Sequence, residues 1–155
     1  MKLAPALAVL VAAAFVAGCA GGPPLRPPEV TVTGIAVTGL TLESMDLEVD
    51  LAVNNPNPIG ITVRDVSVNV SYSKEGREVF LGSGRSEEIV IPAYNRTEVA
   101  IPVTMDTMAM LSAAGTLILS GELEVTAEGT MTVDAGIISF NVPFGKTTKV
   151  SVRER

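Results

Sequence analysis

Residues 45–54 restrict the fold of this chain more than any other stretch, because apolar and polar side chains alternate there without a break. Successive side chains of a β-strand point to opposite faces, so this pattern predicts a strand with one face on a core and the other in water. The apolar positions are Met45, Leu47, Val49, Leu51 and Val53.

Similar patterns recur along most of the chain. A hairpin is predicted over residues 66–81, around the turn Lys74-Glu75-Gly76. A second turn is predicted at residues 92–96, between two apolar runs. The other predicted strands cover residues 30–37 (interrupted or bulged at Gly34), 117–119, 123–127, 131–133, 138–142 and 147–152. Seven or more short strands with regularly spaced turns favour an all-β, antiparallel β-sandwich.

One short helix is expected among the strands. Asp106 suits the N-cap, and Met105 and Met110 stand where a hydrophobic staple would form. Gly115 is the predicted end of the helix.

The first 18 residues have the features of a secretory signal peptide. Lys2 is followed by an uncharged, apolar stretch of about 15 residues, shorter than the roughly 20 needed to cross a bilayer as a helix. The run Val16-Ala17-Gly18-Cys19 then resembles the lipobox of bacterial lipoproteins. The resemblance implies removal of residues 1–18 and acylation of Cys19, so that its acyl chains attach the chain to a membrane. The alternative is a buried free cysteine in a soluble protein.

The expected mature chain has two parts. Residues 19–29 form a lipidated tether rich in Pro and Gly, and residues 30–155 form one domain. Four prolines between Pro23 and Pro28 favour an extended, semi-rigid spacer of about 3.1 Å per residue. Such a tether would hold the domain away from the membrane.

Composition excludes several functions. The formal net charge is −6, and loss of Lys2 with the leader makes it −7 (10 basic minus 17 acidic residues), which argues against nucleic acid as a partner. The chain has no His and a single Cys, so Ser-His-Asp and Cys-His catalytic sites and His/Cys zinc sites are not available. We therefore predict a protein that is not an enzyme and that needs no cofactor or metal. An enzyme using only carboxylates or hydroxyls is the remaining catalytic alternative.

Two acidic groups are candidate sites. Asp46, Glu48 and Asp50 share one side of a strand, and a calcium site there is the alternative to a solvated acidic face. Glu87 and Glu88 are adjacent on the chain, so they point to opposite sides of a strand and do not flank one glycosidic bond.

Two other features have both a binding and a structural interpretation. The apolar helix residues Met105, Met108, Met110 and Leu111 would either form a pliable binding surface or, as we expect, plug one end of the sandwich. Tyr94 and Arg96, at a loop tip, are possible contacts for a partner.

The motif Asn54-Asn55-Pro56-Asn57-Pro58 is the most unusual segment of the mature chain. Each proline lacks an N–H and disfavours helical backbone in the residue before it, whereas Asn side chains can bond nearby backbone groups. We predict that the motif is structural: it ends a strand and turns the chain.

This motif, placed after an alternating strand, resembles the WHy (water stress and hypersensitive response) domain of the late embryogenesis abundant type 2 family. The likeness extends over roughly residues 30–152 and includes Ile59-Gly60-Ile61-Thr62-Val63, Ile91-Pro92-Ala93 and Phe140-Asn141-Val142-Pro143-Phe144-Gly145. It implies an immunoglobulin- or fibronectin-III-like sandwich without catalytic residues and a role in desiccation and other stress responses.

The sequence therefore predicts a membrane-anchored envelope lipoprotein that protects against water stress. The residue after Cys19 is Ala20 rather than the Asp associated with inner-membrane retention, which favours the outer membrane facing the periplasm. The alternative function is an adaptor or binding module that recruits an unidentified envelope protein or an apolar ligand at an exposed strand edge.

Overall fold

The structure is a computed structural model that describes residues 22, 24–40 and 45–151. The predicted signal peptide, the run Val16-Ala17-Gly18-Cys19 and the first residues of the predicted tether lie outside the described residues. The description of the tether therefore begins, apart from Gly22, at Pro24.

The described chain folds into eight β-strands and one α-helix. In chain order they are β1 (Glu29–Leu40), β2 (Met45–Asn54), β3 (Ile61–Lys74), β4 (Arg77–Ser86), β5 (Ile89–Ile91), β6 (Arg96–Met105), α1 (Thr107–Ser120), β7 (Glu122–Asp134) and β8 (Ser139–Ser151). All strand pairs are antiparallel, in the order β1-β2-β6-β4-β3-β7-β8, and β5 also pairs with β3. The predicted all-β antiparallel class with one short helix is confirmed, as is the 66–81 hairpin.

The strands form one continuous sheet that curls almost into a barrel. Its two outer strands, β1 and β8, face each other across a cleft of about 400 Å³ instead of pairing. Register shifts between Val32 and Gly34 and between Val37 and Gly39 mark β1, and two further shifts mark β3. Bulges of this kind increase local bend and twist, which favours curling of a single sheet. The expected division into two facing sheets, as in an immunoglobulin-like sandwich, is not confirmed.

The core lies inside this curled sheet and is built by the alternating apolar positions. Val49, Leu51 and Val53 of β2 are each 0% exposed, whereas Asp46 and Asn54 lie on the surface. The inward residues of β3 and β7 are equally buried. Removal of this apolar surface from water is the main stabilising contribution to the fold.

The barrel has two chemically different ends. Glu29 of β1 pairs with Asn54, and Asn54 pairs with Arg96, so β1 and β6 begin where β2 ends. We call this the tether end; it comprises residues 24–28, the loop of residues 55–60 and the turns of residues 92–95 and 135–138. The opposite end carries α1, which follows β6, and we call it the helix end.

The helix begins as predicted but ends later. The Asp106 carboxylate accepts hydrogen bonds from the backbone N–H groups of Met108 and Ala109, as an N-cap should. The predicted end at Gly115 is wrong, because the helix continues to Ser120 and residues 117–119 are helical instead of extended. Gly121 ends it with a φ of 75° and an N–H donated to Leu117 O, a conformation that glycine adopts without a steric penalty.

Candidate functional site

The Asn-Pro motif lies at the tether end, and its first buried asparagine joins two loops. The side chain of Asn55 is 0% exposed. Its Nδ2 donates to Ile59 O at 2.8 Å and to Pro92 O at 3.0 Å, while its Oδ1 accepts from the Asn57 N–H at 3.0 Å. A buried amide is tolerated when it is hydrogen-bonded, and this one uses both donors and its acceptor. Asn55 thus connects the loop of residues 55–60 to the turn of residues 92–95.

The second buried asparagine binds the tether. Asn57 is 1% exposed, and its Oδ1 accepts from the Arg26 N–H at 2.7 Å while its Nδ2 donates to Arg26 O at 2.8 Å. This paired contact imitates one rung of a β-ladder between residues 31 positions apart. The sequence predicts Asn57 as a turn residue but does not indicate Arg26 as its partner, because nothing local in the sequence marks that pairing.

The remaining motif residues complete the turn. Asn54 is the last residue of β2 and is exposed, Pro56 is half-buried and Pro58 is exposed. Backbone bonds from Asn55 N to Asn95 O (2.9 Å) and from Tyr94 N to Asn57 O (3.1 Å) fix the two loops together. The motif ends a strand, turns the chain and connects the tether to the barrel.

The three carboxylates of β2 lie on the outer face but do not converge. Asp50 and Asp46 each lie against a glycine of β1: a Cβ on Gly34 would stand 3.1 Å from Asp50 Oδ2, and one on Gly39 would stand 2.6 Å from Asp46 Oδ2. Because Gly34 and Gly39 carry no side chain, the two carboxylates lie directly against the backbone of β1. Within the described residues, no three His, Cys, Asp or Glu side chains are grouped closely enough to hold a metal ion.

Glu87 and Glu88, the other acidic pair, lie outside the strands. Glu87 and Glu88 are exposed in the link before β5, and Glu88 approaches Arg64 at 3.8 Å. Arg64 also pairs with Asp134, whose pKa is held below its ordinary value by the Ser139 hydroxyl and then by the Arg64 guanidinium. The contacts of Asp134 with Ser139 and Arg64 favour the charged carboxylate in the folded chain. The stability that they contribute is therefore present at pH values above the ordinary carboxyl pKa, and it is lost as the pH falls through the lowered pKa of Asp134.

The helix end presents apolar surface. A pocket of about 100 Å³ lies between α1 and the barrel, and its exposed lining is almost entirely apolar, with Val37, Leu47, Leu81, Leu117, Ile118 and Leu123 among the lining residues. The helix is fixed by Ser112, whose hydroxyl accepts from Tyr72 OH at 2.8 Å and from Lys74 Nζ at 3.1 Å.

The helix packs only one side against the barrel. Met110 and Ala113 are buried, whereas the exposed fractions of Met108, Leu111, Ile118 and Leu119 are 74%, 54%, 79% and 90%. The helix therefore covers the helix end only in part. Over the described residues, no helix is both long enough and apolar enough to cross a membrane.

Comparison with known proteins places the chain in a family. A family model described as late embryogenesis abundant protein (LEA_2) matches residues 50–148, which is more than half of the chain and includes the whole Asn-Pro motif. An uncharacterised protein of Methanocaldococcus jannaschii is 27% identical over 147 residues, covering 95% of this chain and 80% of that protein.

Two solved structures share the fold. A protein of Arabidopsis thaliana solved in solution has a TM-score of 0.59 at 20% identity and covers 89% of each chain. A crystal structure of a protein from Archaeoglobus fulgidus has a TM-score of 0.56 at 12% identity and covers 85% of this chain and 100% of that one. With the family model matched from the middle of β2 into β8, the chain belongs to the late embryogenesis abundant type 2 protein family.

Proposed function

We propose that the chain is a lipid-anchored protein of the bacterial cell envelope, and that its barrel is a WHy-type domain that protects the envelope during water stress. Family membership carries the protective part of this proposal, because it suggests a non-catalytic, stress-associated protein. The lack of His and the single Cys of the sequence support a role without catalysis.

The anchor is supported by the start of the sequence and by the tether contact. The run Val16-Ala17-Gly18-Cys19 follows an apolar leader, and Asn57 binds the chain seven residues after Cys19. An acylated Cys19 would therefore be connected to the barrel by the hydrogen bonds between Asn57 and the backbone of Arg26. Ala20 after the cysteine favours the outer membrane, with the barrel facing the periplasm.

Replacing the anchor residue tests location and protection together. We expect Cys19→Ala to release the chain from the membrane fraction and to reduce survival of drying to that of cells lacking the protein, since the acyl chains supply the membrane attachment. Cell fractionation and viability counts after drying and rehydration measure the two effects.

Ala20→Ser is the matched control, because it changes a small residue next to Cys19 and keeps the thiol. It should behave as the wild type in both assays. Membrane retention of the Cys19→Ala chain would contradict the anchor, and full survival with a released chain would contradict the connection between anchor and protection.

A second candidate function is the binding of an apolar ligand or partner at the helix end. The pocket of about 100 Å³ favours it, because its lining is almost entirely apolar and an apolar cavity of about 150 Å³ is able to bind benzene. Benzene titrated into the protein should shift the methyl resonances of Leu117 in a saturable way, and Ala114→Leu, which fills the pocket, should abolish the shift. Ala100→Leu, on the exposed face of β6, should leave it unchanged. A linear, non-saturating response in the wild type would argue against a binding pocket.

A further inference from the structure

Exposed apolar side chains stand at the tips of three loops of the tether end. Ile59, Tyr94 and Ile137 are 40%, 70% and 99% exposed, and Ile138 next to the last is 42% exposed. Turn residues are ordinarily small or polar, so large apolar side chains at three neighbouring tips require an explanation outside the turn itself.

These loop tips are held in place. Asn55 bonds the carbonyl groups of Ile59 and Pro92, which fixes two of the loops relative to each other. The turn of residues 135–138 is closed by a bond from Ala135 N to Ile138 O and contains Gly136 at a φ of 79°. Thr62, near the start of β3, pairs with Asp134 at the end of β7. The turn of residues 135–138 therefore lies beside the loop of residues 55–60, which leads into β3. The surface formed by Ile59, Tyr94, Ile137 and Ile138, which we call the loop-tip surface, is therefore preformed.

The tether leaves the barrel from this same end. Asn57 holds the backbone of Arg26, so at most seven residues (19–25) separate that point from the predicted acyl chains. At about 3.1 Å per residue, an extended segment of that length reaches about 20 Å. The ten residues of β6, which connect the two ends, span about 30 Å. The anchor is thus short enough to bring the tether end to the membrane while the helix end stays away from it.

We propose that the loop-tip surface contacts the bilayer that holds the anchor and lies at the boundary between head groups and acyl chains. This inference rests on the proposed anchor and adds the orientation of the barrel on the membrane. Isoleucine enters that boundary through its apolar side chain, and tyrosine suits it because its ring is apolar and its hydroxyl stays hydrated. An apolar contact close to the anchor would add to the attachment that the acyl chains of Cys19 supply, and it would fix the orientation of the barrel.

Charge does not explain this contact. Arg26 is the only charged residue among those that define the tether end, and the adjoining strand ends add one residue of each sign, Glu29 and Arg96. Attraction to anionic head groups would be screened by salt, whereas burial of apolar loop tips persists at high ionic strength. The membrane contact of the loop tips should therefore change little with added salt.

The helix end provides the matched control. Leu119 is 90% exposed, nearly as much as Ile137, but it belongs to α1 at the other end of the barrel. The two residues have similar volume and apolar character. If exposed apolar area alone determined which residues touch the bilayer, both Ile137 and Leu119 would do so. If the position of the anchor determines it, only Ile137 does.

Single tryptophans distinguish these cases, because the natural sequence contains no Trp. Ile137→Trp and Leu119→Trp are expressed as full chains, recovered from membranes and reconstituted into vesicles of phosphatidylcholine with a minor fraction of phosphatidylglycerol. Lipids with brominated acyl chains then quench any tryptophan that reaches the acyl region. We expect quenching of Ile137→Trp on the order of twofold and little quenching of Leu119→Trp. Tyr94→Trp is a second reporter in the loop-tip surface and should behave as Ile137→Trp.

Two fluorescence results would contradict the proposed orientation of the barrel. Unquenched fluorescence from both Ile137→Trp and Tyr94→Trp, or stronger quenching of Leu119→Trp, would overturn the proposed orientation. The intact mass of the same samples reports the anchor separately. If the leader is retained and Cys19 carries no acyl chain, the lipoprotein proposal fails, yet the tryptophans still show which end meets the bilayer. Recovery of the chain only from the soluble fraction would overturn both.

Discussion

Asn55→Ala lowers the free energy of unfolding by about 3 kcal/mol, because one buried and two partly buried hydrogen bonds to backbone groups are lost, at about 1 kcal/mol each. The affected groups are the N–H of Asn57 and the carbonyls of Ile59 and Pro92. Urea unfolding followed by far-ultraviolet circular dichroism measures the loss. The slope of the transition should stay near that of the wild type, since the same surface is exposed on unfolding.

Asn54→Ala is the control, because Asn54 is the adjacent asparagine and is exposed. Its effect should remain within about 0.5 kcal/mol. Asn57→Ala should lie between the two at about 1–2 kcal/mol, since water can reach the released backbone of Arg26. Equal stabilities of the Asn54 and Asn55 variants would show that the buried amide does not hold the two loops together.

Gly129→Ala lowers the free energy of unfolding by about 3 kcal/mol or more, because the added methyl group has no space. A Cβ there would stand 2.2 Å from Ser67 O and 2.5 Å from Phe144 Cζ. The carbonyl belongs to the neighbouring strand and cannot move without disturbing the β3–β7 pairing. The ring of Phe144 covers Gly129 and is itself only 8% exposed. Thermal unfolding should show a lower Tm.

Gly115→Ala tests the same change at a glycine with free space. No atom outside its own helix lies within 4 Å of a Cβ at Gly115, and the residue is inside α1. Alanine should stabilise the helix by about 0.5–1 kcal/mol. Destabilisation of both variants, or of neither, would contradict the packing described for Gly129.

The strands could be predicted because buried and more exposed side chains largely alternate along them. The alternation in residues 45–54 and 66–72 depends only on one face being buried, which the sequence displays directly. The end of the helix was not predictable from Gly115, because glycine inside a helix costs only about 1 kcal/mol and packing compensates for it. Gly121 ends the helix through its positive φ, which the sequence does not show.

Closure of the sheet and the contacts of the Asn-Pro motif depend on distant residues. The sequence indicated a bulge at Gly34, but the apolar pattern does not show how far such bulges bend the sheet, and therefore whether the strands form two sheets or one curled sheet. Asn57 could be recognised as a turn residue, yet its partner Arg26 lies 31 positions away. Nor did the sequence indicate that Ile137 would share one end of the barrel with the tether.

The two ends of the barrel suit different surroundings. The tether end combines a hydrogen-bonded attachment at Arg26 with exposed apolar loop tips, while the helix end carries an uncharged helix beside an apolar pocket. An anchored barrel oriented by its tether would direct α1 away from the membrane. The proposed protection of the envelope and the proposed binding at the helix end would then be compatible in one molecule.

The mass of the amino-terminal peptide of the protein extracted from membranes tests the anchored barrel most directly. We expect a peptide that begins at Cys19 and carries acyl chains on that residue. A peptide that retains residues 1–18, or that begins at Cys19 with an unmodified thiol, would contradict it.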